Sequence, residues 1–149
     1  MKKIFNIDWI IQDSLAVGSI PKKEEHIEKL KNEKIVSILS LCNEVKYTEF
    51  NYPKDKFNYR RIILPDHQTG RLPTLEELQN CIICLEELIS KGATYVHCFA
   101  GIERSPLVCM AWLIKKHNLS PQEALDYVMQ MHKGTNPLSG QLSLLQKLI

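Results

Sequence analysis

One stretch of this sequence combines the residue types needed to bind and attack a phosphate group. It reads TYVHCFAGIERSP over residues 94–106, so that five residues separate Cys98 from Arg104. The β-branched start predicts a strand that ends near the cysteine, and an apolar helical pattern begins at the arginine. A loop between a strand and a helix N-terminus points backbone N–H groups and the positive end of the helix dipole at one place.

The side chains of this loop suit a reaction at phosphorus. Arg104 offers a planar fork that binds two phosphate oxygens at once. Gly101 allows a backbone conformation that a side chain would forbid. Cysteine thiols in such a positive field have a pKa of roughly 3.5 to 7.5 instead of about 8.5. The sequence therefore predicts a nucleophilic thiolate at Cys98.

These residues resemble the signature of the protein tyrosine phosphatase superfamily, histidine-cysteine-x5-arginine-serine/threonine. The segment AGIERS at 100–105 is similar to that of the small dual-specificity phosphatases in particular. Two more stretches are similar to this family: LAVGS at 15–19 matches its first strand, and NP at 136–137 with QL at 141–142 matches its closing segment. Glu103 is a departure, since small or polar residues are common there. Its acid is expected to weaken the positive field and disfavour strongly acidic substrates.

The resemblance implies a mechanism in which Cys98 attacks phosphorus and forms a phosphocysteine intermediate. Ser105 is then expected to hydrogen-bond the thiolate and help it leave, and His97 to hold the loop in place. No metal and no cofactor is implied. The residues expected to bind the substrate phosphate are Phe99, Ala100, Gly101, Ile102, Glu103 and Arg104.

Asp66 is the predicted general acid, because an alkoxide or phenoxide leaving group needs a proton. It follows a strand pattern in the loop LPDHQTG, which places it at the same sheet edge as Cys98. The family keeps its acid in this loop, about thirty residues before the cysteine. A turn aspartate after a proline is the alternative, and His67 is a weaker candidate for the acid. Gly70 predicts a mobile lid, and Arg71 is expected to be a solvated arginine.

Strand and helix patterns alternate along the chain. Strand patterns cover residues 14–17, 35–41, 59–64 and 94–98, and helical patterns cover residues 22–31, 74–90, 104–117, 121–131 and 139–148. The second and fourth strand patterns are nearly continuous in apolar residues, as expected for strands covered on both faces. This order predicts an α/β fold, with a mainly parallel central sheet flanked by helices on both faces and one catalytic domain over residues 1–149.

The composition indicates which cellular compartment and which classes of partner to expect. The net charge is +2, with 44% hydrophobic and 24% charged residues and no basic block, so neither nucleic acid nor a membrane is an expected partner. The first fifteen residues do not fit a signal peptide. Five cysteines without a disulfide framework predict the reducing cytoplasm as the setting. A monomer is expected. Cys81 and Cys84 fall inside a helical pattern and are expected to form part of a buried face, since no second pair completes a zinc site.

The predicted function is a protein phosphatase that hydrolyses phosphotyrosine and also phosphoserine and phosphothreonine. A phosphoinositide phosphatase is an alternative, although residues 99–103 contain no lysine of the kind that lipid phosphatases of the superfamily carry there. A phosphatase acting on RNA 5′-phosphates is another, although it calls for a basic channel. The non-enzymatic alternative is a phospho-residue-binding pseudophosphatase, which usually lacks the nucleophile, the arginine or the acid.

Overall fold

The computed structural model describes residues 4–43 and 54–149. Within these residues the strands are β1 (Asp8–Ile11), β2 (Leu15–Gly18), β3 (Ser37–Ser40), β4 (Asn58–Arg61) and β5 (Thr94–His97). The helices are α1 (Glu24–Asn32), α2 (Leu75–Lys91), α3 (Arg104–His117), α4 (Pro121–Met131) and α5 (Ser139–Gln146), with a short 3₁₀ turn at Lys54–Lys56. None of these helices is long and apolar enough to cross a membrane.

The five strands form one sheet in the order β1-β2-β5-β3-β4. Strands β2, β5, β3 and β4 run parallel, and β1 pairs antiparallel with β2 at one edge. The predicted mainly parallel sheet is thus confirmed. Strand β1 was not predicted, because it is a half-covered edge strand of four residues in which Ile10 alone is buried.

Alternate residues of the central strands pack against helices on opposite faces, as predicted. Leu39 and Val96 point into the larger core, which they share with α2, α3, α4 and α5. The preceding residues, Ile38 and Tyr95, point into a smaller core with Ile27 of α1. Strands β3 and β5 are buried along their whole length, which explains their nearly continuous apolar patterns.

The strand order puts the loop after β5 at the centre of one sheet edge. Strand β5 lies between β2 and β3, so its carboxyl end is flanked by the ends of both. Helix α3 starts directly after the loop at Arg104, and every residue from Arg104 to Ile114 is buried. A fully covered helix and a fully covered strand therefore hold the two ends of the loop.

An ion pair stabilises the start of α2. This helix follows residues 64–70, the loop that carries Asp66 and is called the acid loop below. Thr74 Oγ1 accepts a hydrogen bond from the Glu77 amide, and Glu77 Oε1 accepts one from the Thr74 amide, which completes the predicted capping box. Arg71 donates from both terminal nitrogens to the Glu77 carboxylate, at 2.7 and 3.0 Å. This hydrogen-bonded arginine lowers the pKa of Glu77 to about 2.

Glu77→Gln is expected to lower the thermal midpoint at pH 7 by roughly 1–3 °C, since the pair is partly exposed. Glutamine still accepts from the Thr74 amide, so the variant removes the charge and keeps the cap. The pKa of Glu77 is lower in the folded state, so its contribution is complete above about pH 4.5 and disappears as pH falls to about 2. Thermal melts of both proteins between pH 7 and pH 2 should converge. Glu76→Gln, in the same helical turn, should show a smaller loss at pH 7.

Candidate active site

The loop after β5 turns its carbonyl groups towards donors in other parts of the chain. The Phe99 carbonyl accepts a hydrogen bond from the Ile20 amide at 3.1 Å. The Ile102 carbonyl accepts one from the Asn136 amide at 2.7 Å. Ile20 directly follows the stretch 15–19 that resembles the family, and Asn136 belongs to the second such stretch.

The Gly101 carbonyl is held in the same way by a side chain. His132, directly after α4, approaches it with Nε2 at 2.5 Å. The other ring nitrogen of His132 lies 2.6 Å from a carboxylate oxygen of Asp8 in β1. This pair could not be predicted from the sequence, because an isolated histidine after a helix and an aspartate at an edge strand carry no recognisable pattern.

The outward carbonyls determine where the loop's N–H groups point. In a trans peptide the C=O and the following N–H point in opposite directions, and the described residues contain no cis peptide. The N–H groups of Ala100, Ile102 and Glu103 therefore face away from the donors that hold the preceding carbonyls. N–H groups that are left free in this way at the start of a helix suit an anion.

Gly101 is required by both its conformation and its surroundings. Its φ is +76°, in the left-handed region that favours glycine. A Cβ there would lie 2.7 and 2.8 Å from the carbonyl carbon and oxygen of Gly18, and 3.0 Å from the Ser19 amide nitrogen. The loop backbone thus rests directly on the end of β2, with no room for a side chain.

The side chains of Cys98 and Ser105, at the two ends of the loop, are in contact with each other. The Cys98 side chain is 2% exposed, and its Sγ lies 3.3 Å from Ser105 Oγ. Either side chain can be the donor in this contact.

Arg104 is buried and held by two backbone carbonyls. Its Nη1 donates to the carbonyls of Leu41 at 3.3 Å and Leu64 at 3.4 Å, which follow β3 and β4. Among the described residues no acceptor meets Arg104 Nε, although that atom is buried. One edge of the guanidinium is therefore fixed by the protein, while Nε remains a donor for an anionic ligand. The sequence could not reveal this anchor, because the partners are backbone atoms.

The predicted general acid shares a cleft with the predicted nucleophile. A cleft of about 170 Å³ is lined by Asp66, His67, Gln68, Cys98, Phe99, Ala100, Ile102, Glu103 and Arg104. Asp66 is half-buried, and its Oδ1 accepts a hydrogen bond from the Gln68 amide at 2.9 Å. Asp66 is thus a turn residue, as the alternative interpretation proposed, and it also stands at the edge of the site.

Glu103, which departs from the family pattern, makes a contact with each of its two carboxylate oxygens. Its Oε2 lies 3.2 Å from Nδ1 of His67 in the acid loop. Its Oε1 accepts a hydrogen bond from Gln141 Nε2 at 3.3 Å. The carboxylate therefore links the acid loop, the phosphate loop and α5.

His97 is fully buried at the end of β5, with Nδ1 3.2 Å from the Cys98 carbonyl. Its ring lies 6.0 Å from that of Tyr95, whose hydroxyl donates to the Ser19 carbonyl at 2.6 Å. His97 and Tyr95 thus stabilise the end of β5, directly before the loop.

The thiols away from the loop are buried in the core. Cys81 and Cys84 lie on the buried face of α2, where burial raises the pKa of both, that of Cys81 to about 12. Burial also raises the pKa of Cys109 in α3. These cysteines are therefore poor nucleophiles. No group of three or more His, Cys, Asp or Glu side chains in residues 4–43 and 54–149 is arranged to hold a metal ion.

Comparison with known proteins identifies the family. Residues 17–148 match the family model described as dual specificity phosphatase, catalytic domain. Dual specificity protein phosphatase 1 of Arabidopsis thaliana is 26% identical over 144 residues, which cover 96% of this chain and 69% of the relative. The human phosphatidylglycerophosphatase and protein-tyrosine phosphatase 1 is 26% identical over 147 residues, which cover 94% of this chain and 73% of the relative.

A solved structure, PTPMT1 in complex with PI(5)P, superposes with a TM-score of 0.82. The two chains are 22% identical, and the alignment covers 95% of this chain and 93% of the other. At that identity the likeness establishes the fold alone, while the family model covers most of the chain, including the loop from Cys98 to Arg104. The chain belongs to the dual specificity phosphatases, the cysteine-dependent protein phosphatases of the protein tyrosine phosphatase superfamily.

Proposed function

We propose that Cys98, Arg104 and Asp66 carry out phosphoryl transfer from protein side chains to water. Cys98 Sγ attacks phosphorus while Asp66 gives a proton to the departing oxygen, which leaves a phosphocysteine and the free hydroxyl of the substrate. Water then attacks phosphorus, its proton returns to Asp66, and the S–P bond breaks to give phosphate and the thiolate. Ser105 stabilises that thiolate through the 3.3 Å contact with Cys98.

One observation carries the proposal: the Phe99, Gly101 and Ile102 carbonyls are held by donors from elsewhere in the chain, which turns the N–H groups that follow them to the opposite side, in a loop that begins at a buried thiol. These N–H groups and Arg104 spread the charge of the equatorial phosphate oxygens, as preorganised donors do in a site shielded from water. Phe99, Ala100, Gly101, Ile102 and Glu103 contribute backbone atoms to this cradle. His97 contributes by holding the Cys98 carbonyl.

The proposed substrates are phosphotyrosine, phosphoserine and phosphothreonine in proteins. The cleft over Cys98 has a volume of about 170 Å³, and we expect it to accept short and long phosphorylated side chains alike. A net charge of +2 without a basic block fits a protein substrate better than nucleic acid or a membrane surface.

A phospholipid monoester is the second candidate. The observation that favours it is a larger cleft of about 470 Å³ beside the phosphate loop, with Lys22 and Lys133 among its lining residues. A human relative is named as a phosphatidylglycerophosphatase as well as a tyrosine phosphatase. Parallel assays with a phosphopeptide panel and with short-chain phosphoinositides decide between the two, and we expect the higher kcat/KM on phosphopeptides.

We further propose that residues 1–149 form one catalytic domain that works as a monomer in the cytoplasm. The support for a reducing compartment is chemical: all five cysteines are free thiols, and the reaction needs Cys98 to stay reduced.

Cys98→Ser is expected to abolish turnover of para-nitrophenyl phosphate while phosphopeptide binding persists, because a hydroxyl is a far weaker nucleophile and the donors of the loop remain. EDTA should leave the wild-type rate unchanged, since the phosphate charge is met by N–H groups and Arg104. Cys84→Ala, which removes a thiol from α2, should retain the wild-type rate. Substantial activity in Cys98→Ser, or loss on chelation that zinc or magnesium restores, would exclude this mechanism.

Gly101→Ala is expected to lower kcat/KM by about 100-fold, because its Cβ would collide with Gly18 and displace the loop. Gly92→Ala is the control. Gly92 also has a positive φ, +140°, and its Cβ would lie 2.6 Å from the Val36 side chain, at the amino end of β5 and away from the loop. That variant strains and crowds the backbone at the opposite end of the strand and should stay within about threefold of wild type. Equal losses in both variants would show that a general disturbance of the fold, and not displacement of the loop, lowers the rate.

Asp66→Asn should be impaired most when the leaving group is basic. Tyrosine's phenol has a pKa near 10, and aliphatic alcohols are more basic still, whereas para-nitrophenol leaves readily without a proton. We expect the ratio of wild-type to variant kcat/KM to rise steadily across aryl phosphates of increasing leaving-group pKa. A constant ratio would mean that Asp66 acts only as a turn residue and that another group supplies the proton.

A further inference from the structure

His132 joins the first strand to the phosphate loop. The residue is 8% exposed, with Nδ1 2.6 Å from Asp8 Oδ2 and Nε2 2.5 Å from the Gly101 carbonyl oxygen. Its backbone is fixed as well, because Thr135 donates to the His132 carbonyl from its hydroxyl at 2.6 Å. Neither Asp8 nor His132 has a part in the reaction as proposed above.

Each of the two ring nitrogens of His132 must carry a hydrogen to donate in its contact. A backbone carbonyl and an ionised carboxylate can only accept hydrogen bonds, and a neutral imidazole has one N–H and one lone pair. A neutral ring would therefore turn a lone pair towards either Gly101 or Asp8. The geometry is satisfied when His132 is an imidazolium beside the Asp8 carboxylate, which leaves the pair neutral as a whole. Asp8 thus ensures that Nε2 carries the hydrogen that Gly101 needs.

The carbonyl that His132 holds belongs to the peptide that presents the Ile102 amide. Because the peptide is trans, a Gly101 carbonyl directed at His132 directs the Ile102 N–H to the opposite side, towards the phosphate. The next carbonyl, that of Ile102, is held by the Asn136 amide from the same chain segment. Residues 132–136 therefore orient two consecutive peptides of the cradle.

We propose that Asp8 and His132 are a positioning pair for phosphoryl transfer, acting on substrate through the Gly101–Ile102 peptide. This rests on the proposed function of the loop as a phosphate cradle. The pair fixes one donor in the direction in which the equatorial oxygens of the transition state need it, and its removal leaves that peptide free to rotate. Preorganised donors are worth most in the transition state. Loss of the pair should therefore lower kcat and weaken transition-state analogues, with a smaller effect on KM.

The test compares variants by vanadate inhibition and by kcat/KM on an aryl phosphate. His132→Ala should weaken vanadate about 10- to 100-fold, as expected for loss of a charge-assisted hydrogen bond, with a matching loss in kcat/KM. Asp8→Asn should stay within about threefold of wild type, because the new amide can donate to Nδ1 and leave the hydrogen on Nε2. His117→Ala, at the exposed end of α3, is the control and should behave as wild type.

A rescue separates positioning from a merely structural role. In His132→Gln the amide nitrogen can donate to Gly101, but its oxygen then faces the Asp8 carboxylate, so vanadate should weaken about tenfold. Adding Asp8→Asn supplies a donor to that oxygen, and the double variant Asp8→Asn/His132→Gln should recover to within about threefold of wild type. This comparison remains decisive even if His132→Ala fails to fold.

The proposal fails if Asp8→Asn gives no recovery in the His132→Gln background, or if folded His132→Ala binds vanadate as wild type does. Either result leaves the assignment of the loop intact, provided that wild type is active and Cys98→Ser is not. An inactive wild type would instead overturn the proposed function.

Discussion

A backbone can offer its N–H groups to an anion only when its carbonyl groups find donors elsewhere. Each N–H turned inward places the preceding carbonyl on the outside, and a buried carbonyl without a donor is costly. Here the carbonyls of Phe99, Gly101 and Ile102 accept hydrogen bonds from Ile20, His132 and Asn136, respectively. The strand order and the path of the last two helices can be understood as the means of bringing these donors to one sheet edge.

The same constraint explains which features were predictable from the sequence. Helix α3 was predicted at Arg104–His117 and is observed there, because its boundary is set by local chemistry, a glycine-containing loop before a continuous apolar pattern. Helix α4 was equally predictable from Ser120 and Pro121. The signature residues could be placed in one loop because they are adjacent in sequence, and Asp66 could be placed near them because parallel strands end at one edge.

The remaining features depend on tertiary contacts that leave no local trace. Strand β1 exists because β2 offers an antiparallel edge, whereas its own four residues show little alternation. Arg104 is anchored by the backbone carbonyls of Leu41 and Leu64, to which any sequence could contribute. Glu103 contacts His67 and Gln141, so its carboxylate bridges neighbouring segments, which no sequence pattern indicates. Its expected effect on the positive field stays a prediction.

The donors that hold the loop come from both ends of the chain, and this has a consequence for how the protein folds. Ile20 lies 79 residues before its acceptor Phe99, while His132 and Asn136 lie more than thirty residues beyond theirs. Contacts so distant along the chain form late, since closing long loops costs entropy before any contact repays it. The cradle is therefore a product of complete folding. A nascent or truncated chain that lacks residues 132–136 has the thiol and the arginine without the geometry that makes them an enzyme.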